Sequence, residues 1–451
     1  MGGRHVIRIR NLIFFMIAIA AVTAVWPENS GFIELAGSFM ITSLCFIVLY
    51  LFIAHYCPEV LKITVKTIFL LSLILSFTVL TRIAVSYEQR NLLPFIPFAL
   101  VAVIVRTFYD GRLAFFILLL TVSLSAFFVP EPFSFTFMHI ITGIIAVFTL
   151  TNNYGRWKFF ITALAVMLSY SFIHLSFSLL LYDKTPDFTA DDLLIFAGNS
   201  LLILLCYPLI QLFESRFKFL SDATLLELAD TNQPLLRKLA DEAPGSFQHS
   251  LQVANLAEEA ARSTGANPLL VRAGALYHDI GKISGPLYFI ENQKSDLSPH
   301  DKLDPLTSAK MIINHVVSGI TLAKNFKVPS QIIDFISTHH GTSVTYYFIR
   351  KFSEKFPLNP DKEKDFSYPG PKPFSKETAI VMMADAVEAS SRSLEKQTEE
   401  TISELVERII LLQEQSGQYS DVPFTFRDIS DIKESFKRRL STIYHGRIAY
   451  K

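Results

Sequence analysis

The stretch LLVRAGALYHDIGK, residues 269–282, reads as an apolar helix that ends on an adjacent histidine and carboxylate, His278-Asp279, and leads into Ile280-Gly281-Lys282. Helical periodicity continues on both sides, near 247–263, 305–326, 329–340, 376–395, 398–415 and 428–445, with no convincing alternating strand. An amphipathic lead-in, Asp222 to Leu239, is broken at Asn232 and Pro234. The half of the chain around this stretch is therefore expected to be all-α. Two segments interrupt it. One is the loop Gly281–Pro305, of a length that is often functional when ordered. The other is Asp365–Pro373, too rich in proline and glycine to be helical.

Of the eleven histidines, His249, His278, His315, His339 and His340 each fall on or at the end of a predicted helix. Gly341 is available to cap the helix that ends on His339-His340. Asp385 lies inside the apolar run AIVMMADAVEA, where an unpaired carboxylate is costly or protonates. A metal ion would supply its partner. Five imidazoles and two carboxylates suit two divalent transition metals, since imidazole binds iron, manganese or zinc and a carboxylate can bridge two ions. The adjacent pair lets His278 hold one ion while Asp279 spans both, a setting for a bridging hydroxide attacking phosphorus in line. A lone helix-borne histidine is usually surface or core filler, and His5, His55, His300 and His445 are read that way. The ordered set His, His-Asp, His, His-His, Asp, each in helical context, is what selects the metal reading.

Outward from this half the composition changes. The chain is 51% hydrophobic and 18% charged, with a mean hydropathy of +0.36, too apolar for an ordinary soluble protein. Between Asn11 and Phe213 there are 19 charged residues; from Glu214 onward there are 60. Eight apolar stretches lie in the first part, roughly 11–26, 35–55, 65–81, 92–105, 113–129, 134–150, 157–182 and 192–213, each a candidate membrane span. With the N-terminus inside, the inner segments carry 11 Lys and Arg residues and the outer loops only Arg82, Arg90 and Lys184, which obeys the positive-inside rule. The basic start, Arg4 to Arg10, and the apolar run after it read as a retained anchor ending at Trp26-Pro27. The expected organisation is a membrane region over 1–213, an amphipathic linker over 214–244, and a cytoplasmic helical domain over 245–451.

Several function classes are disfavoured. Zero net charge implies no nucleic-acid polymer as partner. Cys45, Cys57 and Cys206 all lie in the apolar half, so the other half has neither a disulfide framework nor a zinc-thiolate site. Only His139 and His174 sit well inside spans, without a carboxylate or strong base near a span centre, which argues against transport.

At its His and Asp positions the chain resembles the HD superfamily of metal-dependent phosphohydrolases. More narrowly, it resembles the membrane-anchored seven-transmembrane HD family, the PgpH-type cyclic di-AMP phosphodiesterases of bacteria. The resemblance runs through Ala223–Arg237, Ala243–Ser250, Tyr277–Lys282, Phe289–Gln293, His300–Leu303, His339–Thr342, Tyr368–Pro373, Met383–Ala389 and Ile443–Ile448. It implies an all-α polytopic membrane bundle followed by a cytoplasmic helical HD domain at the inner membrane. It implies one metal on His249, His278, Asp279 and Asp385, and a second on Asp279, His315, His339 and His340, with iron or manganese expected. Asp279 and Lys282 would serve catalysis, Lys282 by contacting a substrate phosphate. The substrate would be cyclic di-AMP and the product linear pApA; the lipid bilayer is the other partner, and a homo-oligomer is compatible with this.

The chain departs from the family in one place: only Pro27 to Glu34 separates the first two spans, where the family carries a large extracytoplasmic domain. Gly341-Thr342-Ser343 after the His pair departs from the related HD-GYP enzymes, which lowers the case for cyclic di-GMP. The rival readings are another nucleotide phosphohydrolase on the same site and a receptor that binds nucleotide without cleaving it. The Tyr288–Gln293 loop and Tyr346-Tyr347 are candidate walls of a base pocket.

Overall fold

A computed structural model describes residues 2–26, 31–86, 90–150, 157–182, 188–217, 219–293, 298–357 and 359–445. Pro27 to Ser30, the loop charges Arg156, Lys184 and Lys218, and the end of the last motif from Gly446 lie outside them. The described residues are helical throughout, without a β-strand; a lone antiparallel bridge joins Val344 and Ser367. The chain divides into two compact units, Met1–Ser221 and Asp222–Lys451.

In the first unit the eight apolar stretches lie largely on helices, the fourth divided at Ile96-Pro97 between a 3-10 turn and Phe98–Phe108. Among the described residues, five helices are long and apolar enough to cross a membrane: Phe32–Tyr56, Thr64–Ser86, Pro132–Thr149, Trp157–Leu180 and Ala190–Phe217. Ile9–Thr23, Leu93–Phe108 and Gly111–Ala126 are shorter. The last long helix tightens to a 3-10 turn over Leu202–Leu205. Close helix contact uses a small residue: a methyl on Gly143 would strike the Leu118 side chain. Some polar groups inside this unit find partners distant in sequence. His139 Nδ1 lies 2.8 Å from the Tyr170 hydroxyl, and Asn199 donates to the carbonyls of Pro94 and Ile96 at 2.6 and 3.1 Å. His174 is half-buried, 3.9 Å from Asp192.

The second unit starts where polar caps and proline set helix ends. Asn267 accepts from Leu269 N and Leu270 N at 3.0 and 3.1 Å, with Pro268 in the first turn, and so opens the helix Pro268–Tyr277. Asp304 caps Pro305–Asn325 in the same way, and a Ser375/Thr378 box opens Lys376–Ser391. The helix Pro244–Thr264 ends on Gly265 at φ +68°, a left-handed cap. These helices surround a core of Val253, Ala257, Leu276, Phe335, Ile380, Met383 and Val387, all buried. Gly274 lets the Pro268–Tyr277 helix close on Phe335, whose ring fills the place of a side chain there.

The segment 214–244, read from sequence as a linker, divides between the units. Asp222–Leu228 and Pro234–Glu242 are helices of the second unit, because Leu225, Leu235, Leu236 and Leu239 are buried in it. The loop after His278 is also ordered where described, as four short 3-10 turns: Ile280–Ser284, Pro286–Tyr288, Ile290–Asn292 and Pro299–Lys302.

Candidate metal centre

Five helices bring the candidate residues to one place. His249 sits in the second turn of Pro244–Thr264, His278 directly after Pro268–Tyr277, and His315 midway along Pro305–Asn325. His339 and His340 follow Ser330–Thr338, and Asp385 lies mid-way along Lys376–Ser391. They form two clusters whose ligand atoms lie within 4.8 Å of one another: His249, His278 and Asp385 in one, His315, His339 and His340 in the other.

Asp279 stands between them. Its Oδ2 faces the first cluster, 3.3 Å from His278 Nε2 and 3.7 Å from His249 Nε2. Its Oδ1 faces the second, 3.5 Å from His315 Nε2 and 3.7 Å from His339 Nε2. Asp385 presents Oδ1 to His249 at 2.8 Å and Oδ2 to His340 Nδ1 at 3.8 Å. Backbone carbonyls aim three of the rings: Nδ1 of His278, His315 and His339 lies 2.6, 2.6 and 2.9 Å from the carbonyls of Ala275, Ile312 and Ile336. Donation from Nδ1–H points each Nε2 inward, where the neutral ring offers its lone pair to a cation.

The residues fit a cation. His278 Nε2 and Asp279 Oδ1 are buried without a hydrogen bond, a costly state that a bound metal ion would relieve. His278 and Asp279 are 0% and 1% exposed. Burial pushes the Asp279 and Asp385 carboxyls up, but the facing histidines outweigh it, with Lys282 adding to the effect at Asp279, and hold both well below the usual carboxylate range. His278, which burial alone would lower, is held up to about 10 by Asp279 and Asp385. His249 is also raised: burial lowers it, and Asp385 and Glu388 overcome that. Burial dominates in the other cluster, lowering His315, holding His339 well down and pushing His340 down to about 3.

These opposite shifts predict a stability maximum for the metal-free second unit. The raised His278 stabilises fully below its unfolded value of 6.5, and that contribution is lost as pH rises toward about 10. The lowered His315, His339 and His340 contribute above 6.5 and lose their contribution as pH falls through their folded values. The urea midpoint of the chelated full chain, read on the second unit by pulse proteolysis, should peak near pH 6.5 and fall on both sides. A flat profile from pH 5 to 9 would contradict this electrostatic picture.

Lys282 Nζ lies 2.7 Å from Asp279 Oδ2 and 2.8 Å from Glu291 Oε1, over the Phe289 ring at 4.9 Å. Glu291, which sequence reading did not single out, also accepts from Ser246 Oγ at 2.8 Å. Asn292 accepts from Gly245 N at 2.8 Å, so this turn is fastened to the start of the His249 helix. Tyr368 is a second addition: its ring stacks on His340 at 4.2 Å and 28°. Glu388, three residues after Asp385, is a third, 2.5 Å from His249 Nδ1. Its signal in the sequence was helical spacing from Asp385. Tyr346 and Tyr347 are 73% and 62% exposed, and Ile290 is 83% exposed. His300, read as filler, lies 2.9 Å from the Tyr288 carbonyl through Nε2 and packs on Phe348.

Residues 32–221 match the family described as a 7TM receptor with intracellular HD hydrolase, and residues 246–390 match the HD domain. The chain is a membrane protein, similar over these two stretches to membrane-anchored HD proteins. It is 44% identical over 255 residues to the cyclic-di-AMP phosphodiesterase PgpH of Bacillus subtilis, covering 56% of this chain and 35% of that one. The PgpH of Listeria monocytogenes is 43% identical over 256 residues, with the same coverage of 56% and 35%. The chain thus spans about a third of the length of these curated relatives. The crystal structure of the L. monocytogenes PgpH HD domain in complex with cyclic-di-AMP is similar at 40% identity, covering 48% of this chain and 100% of that one, with a TM-score of 0.46.

Proposed function

We propose that this chain is a membrane-bound phosphodiesterase that opens cyclic di-AMP to linear pApA at the cytoplasmic face of the bacterial inner membrane. The observation that carries the hydrolase reading is Asp279, whose two buried oxygens each face a separate imidazole cluster. His249, His278, Asp279 and Asp385 would hold one divalent ion, and Asp279, His315, His339 and His340 the other; an imidazole and carboxylate set suits divalent transition metals, and the family resemblance implies iron or manganese. Bound there, such ions supply Lewis acidity toward a phosphodiester.

The chain's own groups do the rest. Burial of His249, His278, Asp279, His315 and His339 strengthens the charge interactions among them. His340, with its side chain 26% exposed, leaves the second cluster the one open to a substrate. Lys282, next to Asp279, is placed to pair with a phosphate oxygen, and Glu291 keeps the ammonium in position from the other side. Lys282→Met should cut turnover by about a hundredfold, as loss of a charged group at the reacting centre commonly does, while both ions remain. Unchanged turnover with normal metal content would remove Lys282 from the mechanism.

The adenine assignment is supported by the two PgpH relatives, which are named as cyclic-di-AMP phosphodiesterases. The purified full chain, loaded with manganese or iron, should cleave cyclic di-AMP to pApA on the order of a hundredfold faster than cyclic di-GMP, because buried polar groups matched to one base are left unpaired by the other. Equal rates would reject the base preference and leave the phosphodiesterase. Tight binding with no cleavage of either would favour the receptor reading.

A further inference from the structure

His249 differs from the other candidate ligands in what holds its second ring nitrogen. His278, His315 and His339 lean on backbone carbonyls, whereas His249 Nδ1 lies 2.5 Å from Glu388 Oε2. Glu388 is buried, and Arg392 clamps its other oxygen from Nε at 2.8 Å and from Nη2 at 2.5 Å. Asp385, Glu388 and Arg392 are spaced to share one face of one helix. That face therefore carries a ligand, the support of a neighbouring ligand, and the cation that fixes the support. A carboxylate behind Nδ1–H keeps Nε2 bare and makes the imidazole a stronger donor than a carbonyl does. Asp385 presents an oxygen at 2.8 Å to this cluster, and its nearest approach to the other is 3.8 Å.

We infer that Glu388, locked by Arg392, is a positioning residue that makes the His249, His278, Asp385 cluster the tighter of two cation sites. The chain then fills in two steps, and the His315, His339, His340 cluster holds the exchangeable ion. This rests on the two-metal reading above. The lock gives Glu388→Gln a defined consequence. Arg392 keeps hold of the remaining side-chain oxygen and so turns the new amide N–H toward His249 Nδ1. The ring must then carry its proton on Nε2, where the cation would bind.

The test is a manganese titration of the full chain in detergent after chelation, with bound ions counted by elemental analysis and free Mn²⁺ followed by its paramagnetic resonance. The wild type should take up two ions in two separable steps. Glu388→Gln should weaken the first step by about 10–100-fold and leave the second unchanged. Arg392→Met, which leaves the carboxylate in place but unlocked, should weaken the first step by less. Glu388→Gln added to His249→Gln should weaken it no further than His249→Gln alone. Equal weakening of both steps, an unchanged first step, or additive losses in the double variant would overturn the inference. If Glu388→Gln fails to fold, Arg392→Met decides, and an unchanged first step in that variant overturns it. A wild type that takes up no pair of ions would instead overturn the two-metal reading itself.

Discussion

Asp279→Asn should abolish turnover and take the chain from two bound ions to fewer than one. The substitution keeps the shape of the side chain and removes its charge. Both oxygens are in use: Oδ2 toward His278 and His249, Oδ1 toward His315 and His339. An amide offers one oxygen, and its N–H group would face a cation on the other side. The loss should be at least about a thousandfold in rate, equivalent to about 4 kcal/mol of transition-state stabilisation. The same change withdraws the main charge that holds His278 protonated, so the alkaline limb of the metal-free stability profile should shrink in this variant. Metal counting and single-turnover rates on one preparation decide it. Near-native turnover with two ions would end the bridging model.

Gly281→Ala is the second large effect, and it acts through backbone. A methyl there would collide with the His315 carbonyl oxygen and press on Gly319 N, and neither can swing aside as a side chain could. Gly319 is tight in return: its own Cβ position lies 3.2 and 3.3 Å from Gly281 N and Cα. The two glycines let the turn after Asp279 lie directly on the His315 helix, with Ser318 Oγ donating to the Gly281 carbonyl at 3.3 Å. Alanine must push turn and helix apart, and Asp279 Oδ1 moves away from His315. Overpacking of this kind costs about 1–3 kcal/mol of stability or more. A misplacement near 1 Å costs about a hundredfold in rate. The second cluster should lose its ion before the first. Native stability and turnover in this variant would show that the turn can give.

What the sequence disclosed follows from which signals are local. The long helices carry enough periodic turns to be read, and the His and Asp residues announce metal chemistry by type and order. The site is otherwise assembled from distant parts. Glu388 meets His249 across 139 positions, and Lys282 meets Glu291 through turns too short to leave a period. The Tyr346–Ser353 helix escaped notice for the same reason, being only 8 residues long. Gly281 and Gly319 look like ordinary glycines until their neighbours are known. Asn232 and Pro234 break the helix of the 214–244 segment without detaching it. Four buried leucines, Leu225, Leu235, Leu236 and Leu239, hold it to the second unit.

Three imidazoles, on His278, His315 and His339, take their aim from a carbonyl three residues back in their own chain. Their direction is thus written into single helical turns and owes little to distant scaffolding. A lineage could lengthen the connecting loops or exchange surface helices while those turns kept the rings pointed at the same spot. His249 has no such independence, since its orientation is borrowed from Glu388 on another helix. Drift in this domain should therefore be freest in the loops and most constrained where the His249 and Asp385 helices meet. A designer transplanting the centre could carry three of its rings as short turns, but would have to move that helix pair intact.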